Sequence, residues 1–151
     1  LPGINVTVTV DAPLRRVYEL AKQIERLPEF DENLESVTII ERADSRVVSE
    51  WVGVVREFGQ KLRWTEEDLW DDERCVCRFA MTKGDFDRYE GTWRFAAEGE
   101  TKTRIDLSFE YEYNVPLIGP LIKGILHKKT VESAQGIMNA IKALAEGQPP
   151  E

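Results

Sequence analysis

Apolar and polar residues alternate at two different periods along this chain, and the switches between them outline the elements. Ile4, Val6, Val8 and Val10 alternate with Asn5, Thr7 and Thr9, the period of a half-buried strand. Asp11-Ala12-Pro13 then predicts a helix start, since proline suits the first turn and an acid suits its positive end. Val17, Leu20, Ala21 and Ile24 follow at helical spacing, Pro28 stops that helix, and Glu29 to Leu34 is expected to be a short second helix or turn.

From Val37 the period returns to two and holds for about eighty residues. Turns are expected at Ala43-Asp44-Ser45, Gly59, Asp71-Asp72-Glu73, Lys83-Gly84-Asp85 and Glu98-Gly99-Glu100. The six strands between them include Arg46 to Glu57, the stretch LRWTEEDLW from Leu62 to Trp70, and a strand carrying Cys75, Cys77, Phe79 and Met81. Tyr89, Gly91, Trp93 and Phe95 share one face of the next. Ile105, Leu107, Phe109, Tyr111 and Tyr113 point inward from the last. Such a series joined by short turns is an antiparallel meander with one wet face. Asn114 to Gly124 is broken by glycine and proline, and Ile125 to Ala145 is helical. Ile122, Ile125, Leu126, Ser133, Ile137, Ala140 and Leu144 form its apolar stripe.

The order strand–helix–helix–six strands–helix gives an α+β fold, a curved antiparallel sheet wrapped around a long C-terminal helix. Residues 1–146 make one domain and 147–151 a polar tail. The inner face offers more aromatic surface than one helix covers: Trp51, Trp64, Trp70, Phe79, Tyr89, Trp93, Phe109, Tyr111 and Tyr113, faced by Leu126. An internal cavity of about 300–1,000 Å³ for an apolar molecule is therefore expected, with the tyrosines as donors to a ligand carbonyl.

Within LRWTEEDLW, alternation sets Trp64, Glu66, Asp68 and Trp70 on one face. Two carboxylates at i and i+2 lie about 7 Å apart at Cα. Desolvated in an aromatic cavity, they perturb each other and become candidate catalytic acid and base. Lys129 falls inside the apolar stripe of the last helix, so it either reaches Glu66 and Asp68 across the cavity or snorkels to solvent.

Composition narrows the function classes. The 151 residues are 42% hydrophobic and 32% charged with a formal charge of −8, which argues against nucleic acid. No run reaches the roughly 20 apolar residues of a membrane span. Leu1 to Val10 lacks a signal peptide's basic start and apolar middle. Cys75 and Cys77, side by side on one strand face, suit reduced thiols in a cytoplasmic protein. One histidine, His127, with no ligand neighbours in sequence gives no metal site and no His-based nucleophile system. No cofactor motif is present, and a monomer or weak dimer is expected. Leu117 to Ile122 with the nearby lysines reads either as a gate touching membrane transiently or as core.

The segments VTVDAPLRRVYELAKQIERLPEF, FDRYEGTWRF and VPLIGPLIKGILHKK, in this order and spacing, resemble the helix-grip superfamily of START and polyketide cyclase domains, also called SRPBCC. The resemblance runs from Ile4 to about Leu144 and lies nearest the single-domain cyclase/dehydrase branch, similar to aromatase/cyclases and coenzyme Q-binding proteins. It implies a deep pocket for a polyketide, quinone or lipid-like molecule, held by a carrier or binding protein. The alternatives are a cofactor-free polyketide cyclase/dehydratase using a cavity carboxylate and a tyrosine, and a protein-interaction module on the same fold. Aligned on Trp64, Asp68 stands where tetracenomycin-type aromatase/cyclases place an inward arginine. Leu34 and Leu27 stand where they place a tyrosine and a tryptophan.

Overall fold

The computed structural model describes residues 3–113 and 119–147, the side chain of Phe58 excepted. Strand β1 (Gly3–Val10) leads into helix α1 (Leu14–Ala21) and a 3₁₀ helix (Ile24–Glu29). Six strands follow: β2 (Leu34–Ala43), β3 (Arg46–Val55), β4 (Gln60–Asp71), β5 (Val76–Gly84), β6 (Arg88–Glu98) and β7 (Lys102–Glu112). Helix α2 (Pro120–Ala145) closes the order. The strands form one antiparallel seven-stranded sheet in the order β1-β7-β6-β5-β4-β3-β2. The order and the α+β helix-grip class expected from periodicity and resemblance both stand.

Where the elements differ, the reasons are local. The second helix comes earlier than Glu29 to Leu34 and contains Pro28. A 3₁₀ turn this short tolerates a proline because few of its N–H groups need intrahelical partners. Strand β3 ends at Val55 rather than Glu57. Arg56–Phe58 forms a 3₁₀ turn closed by Gly59 at φ 60°. Cys75 lies in the turn before β5 at φ 55°, so it does not share a strand face with Cys77; both thiols are free and buried. Helix α2 begins at Pro120, five residues before the expected start, because Pro120 at the first helical position is favourable there. Its buried face holds Leu126, Ile137 and Ala140 as expected, together with Ala134, Met138, Ile141 and Ala145. Part of the expected gate, residues 114–118, lies outside the described residues; Leu121, beyond it, is 76% exposed.

Close packing shapes the sheet at two glycines. A Cβ on Gly91 would sit 2.3 Å from Phe109 Cβ, and one on Gly84 (φ 149°) would sit 2.5 Å from Trp64 Cα. Their bare backbones let β6 and β5 press against the aromatic residues of neighbouring strands. Tyr18, fully buried on α1, meets Trp70 and Phe95 edge-on and donates its hydroxyl to Asp72 at 2.7 Å. The core thus continues from the sheet under α1 and along α2.

Candidate functional site

The register of β3 against β4 builds the site. Trp51 pairs with Trp64, Ser49 with Glu66 and Val47 with Asp68, so each inward side chain of one strand meets one of the other. The two indoles stack with ring centroids 5.8 Å apart and planes 14° from parallel. Trp51 Nε1 donates to Ser49 Oγ at 2.8 Å, and Trp64 Nε1 donates to Glu66 Oε1 at 3.0 Å. On the other side of β4, Asp68 pairs with Phe79 and Trp70 with Cys77.

Above this floor lies a cavity of about 110 Å³ between the sheet, the 3₁₀ helix and α2. It is smaller than the expected 300–1,000 Å³ because aromatic rings fill much of the space. Trp64 contacts Tyr89 at 5.2 Å and Phe86 at 5.4 Å, and Tyr89 contacts Phe109 at 5.4 Å. Of the residues expected at the wall, Trp51, Trp64, Glu66, Asp68, Trp70, Phe79, Tyr89, Trp93, Phe109, Leu126 and Lys129 line the cavity. Tyr111 and Tyr113 do not. The Tyr111 hydroxyl is 2.9 Å from His127 Nδ1, so it ties β7 to α2 beside the cavity instead of facing a ligand. Tyr113 follows the end of β7 and turns its ring toward Phe86.

Glu66 and Asp68 are 4% and 3% exposed, and they hydrogen-bond to each other. Burial pushes the Glu66 carboxyl well up, and the Asp68 charge beside it pushes further. Asp68 is also raised by burial, but its hydrogen bond from Glu66 favours its charged form. Of the two, Glu66 is pushed further toward its protonated form, with Asp68 as its acceptor. Asp68 Oδ1 is the one buried side-chain oxygen or nitrogen among the described residues with no hydrogen-bond partner. Leaving such an acceptor unmet costs about 1–3 kcal/mol, more when it is charged.

Lys129 does not reach this pair. Its ammonium binds Glu57 Oε2 at 2.9 Å and Glu132 Oε2 at 3.5 Å, while the residue still contributes to the wall. At the rim both charges keep contact with water, whereas crossing the cavity would strip the ammonium of it. The ion pair joins the turn after β3 to α2.

Two further residues escape a reading of the sequence. Phe86 stands between Asp85 and Asp87 in a turn, where its acidic neighbours suggest exposure; it is 6% exposed and part of the wall. Asp31 is 5% exposed. Its Oδ1 accepts the Asn33 backbone N–H at 2.9 Å, and its Oδ2 accepts the Ser133 hydroxyl of α2. The Asp-x-Asn spacing after Phe30 carries the signal of such an Asx turn.

Comparison with known proteins agrees with this architecture. Residues 10–136 match the family model described as polyketide cyclase / dehydrase and lipid transport. The crystal structure of TTHA0849 from Thermus thermophilus superposes with a TM-score of 0.87 at 38% identity, covering 97% of this chain and 98% of that one. The Zhui aromatase/cyclase from Streptomyces sp. R1128 gives a TM-score of 0.85 at 20% identity over 96% of this chain and 93% of that one, a likeness of fold alone. The ribosome association toxin RatA of Pseudomonas aeruginosa is 24% identical over 128 residues, 85% of this chain and 84% of that protein.

Proposed function

This chain belongs to the polyketide cyclase / dehydrase and lipid transport family, and from that premise we propose that it binds a hydrophobic small molecule in the cavity between sheet and α2, as a carrier or binding protein. The observation that carries the reading is the cavity's make-up. Rings of Trp51, Trp64, Phe86 and Phe109 supply apolar wall, and one buried carboxylate oxygen, Asp68 Oδ1, stands without a partner among the described residues. Apolar walls give affinity, and a few placed polar groups give orientation. The bound molecule is of polyketide, quinone or lipid type, and the ion pair of Lys129, a wall residue, with Glu57 ties the turn after β3 to α2 beside it. Native mass spectrometry of protein purified from its own source tests this. A co-purifying apolar mass, lost on denaturation, is expected; an empty protein that also takes up no aromatic compound in titration would reject the reading.

A second reading is a cofactor-free cyclase/dehydratase, favoured by the proton shared between Glu66 and Asp68. Asp68 would take a proton from a carbon flanked by carbonyls, and the carbanion would close a carbon–carbon bond on a ketone. Glu66 would deliver its proton to the resulting alkoxide. Turnover of a poly-β-ketone mimic, abolished by Glu66→Gln, is the outcome that would make this the better account. A protein-interaction role is the third reading, suggested by the name of RatA. The charge of −8 disfavours ribosomal RNA as a direct partner.

A further inference from the structure

Several of the donors on the wall are held inside the protein. Trp51 Nε1 is used by Ser49 and Trp64 Nε1 by Glu66. The Ser133 hydroxyl is used by Asp31, Thr130 Oγ1 donates to the Leu126 carbonyl at 2.7 Å, and the Lys129 ammonium is held by Glu57 and Glu132. Each of these cavity-lining donors is already committed inside the protein. Asp68 Oδ1, 3% exposed as a residue, is an acceptor with nothing to accept.

Resting on the reading that the cavity holds a ligand, we propose that it selects an uncharged molecule presenting a hydroxyl at its buried end, a phenol or polycyclic alcohol, whose O–H donates to Asp68 Oδ1. A carboxylate brings a second negative charge beside Asp68 in a desolvated site and is rejected. A molecule with only ether or ketone oxygens offers Asp68 no proton and leaves its oxygen unmet. An unsubstituted hydrocarbon gains the apolar contacts alone. The neighbouring Tyr89 hydroxyl does not reverse this order, because it serves a ligand hydroxyl as readily as a ligand carbonyl.

Four bicyclic probes of nearly equal size separate the possibilities by calorimetric titration of the full chain at pH 7: 2-naphthol, 2-methoxynaphthalene, naphthalene and 2-naphthoate. The naphthol is expected to bind about tenfold tighter than the methyl ether, in line with one hydrogen bond to a charged group, and the naphthoate to bind weakest. In Asp68→Asn the naphthol's advantage over the ether should collapse, because the amide offers both a donor and a neutral acceptor. Equal affinity for naphthol, ether and hydrocarbon would overturn the inference and leave the cavity reading standing. Binding of none of the four would overturn both. Preference for the naphthoate would overturn the inference outright. A circular-dichroism melt of Asp68→Asn confirms that any loss is read from a folded protein.

Discussion

Two buried acidic sites, one bonded to α2 and one on β4, are built to different ends. Asp31, on the loop before β2, has both oxygens engaged, one by the Asn33 N–H and one by the Ser133 hydroxyl. It sews a loop to α2. Glu66 and Asp68, on β4, satisfy each other and Trp64, yet one Asp68 oxygen is left over inside the cavity. Burial raises the pKa of all three groups, so a perturbed carboxyl alone does not distinguish structure from function. The tally of partners does: a fully satisfied buried acid holds the fold, and an unsatisfied one awaits something from outside.

The largest test of this contrast is Asp31→Ala. It strands a buried hydroxyl and a backbone N–H, and a loss of about 3 kcal/mol in urea unfolding is expected. The preference for 2-naphthol over its ether should survive in the fraction that stays folded. If selectivity vanished with stability unchanged, the two sites would have exchanged roles.

Next in size is a pH effect. Glu66 keeps its proton above 4.5, its ordinary value, while the unfolded chain releases it. Between that value and the raised one, the folded state holds the extra proton, so stability falls as pH rises through the window. Asp31 and Asp68, also raised, act with the same sign. Glu57, Asp72 and Glu146, held low mainly by hydrogen bonds to Lys129, Tyr18 and Lys142, act oppositely and only at more acidic pH. Glu66→Gln should remove up to one proton's slope, about 1.4 kcal/mol per pH unit. Urea midpoints measured from pH 4 to 8 read this directly, and identical slopes in variant and parent would place the proton elsewhere.

The smallest effect is expected at the rim. Lys129→Met removes an exposed ion pair, so the thermal midpoint should hardly move. Stopped-flow mixing with 2-naphthol should nonetheless show faster entry, since the turn after β3 is then no longer tied to α2. An unchanged rate would make the pair a surface decoration and leave the contrast of the two acid sites to stand alone.

Much of this is legible in residue order. The alternation in LRWTEEDLW puts Trp64, Glu66, Asp68 and Trp70 on the inner face, where all four are buried. Strand periodicity carries that information because one face is wet and the other dry. What periodicity does not carry is where long side chains end. Lys129 has an inward-leaning Cα, yet its ammonium finds Glu57 from a turn that pattern alone does not position. Tyr111 points inward from β7, yet its hydroxyl stops at His127 on α2. Ala134 and Ala145 stay hidden in the pattern of α2 because small residues give little amphipathic signal while permitting close approach. Tyr18 and Phe86 are masked by polar surroundings in the chain that fold away from them.

The stacked pair of Trp51 and Trp64 has an optical consequence. Two indoles 5.8 Å apart and nearly parallel are strongly coupled chromophores, held in place because each N–H is tied to its own strand. Their joint transition belongs to the pair, and its sign and size follow the angle between the rings. Both line the cavity, so any molecule that wedges against Trp64 retunes the couplet. The protein thus carries a label-free reporter of occupancy at the place where occupancy matters, readable in the near-ultraviolet without adding or changing a single atom.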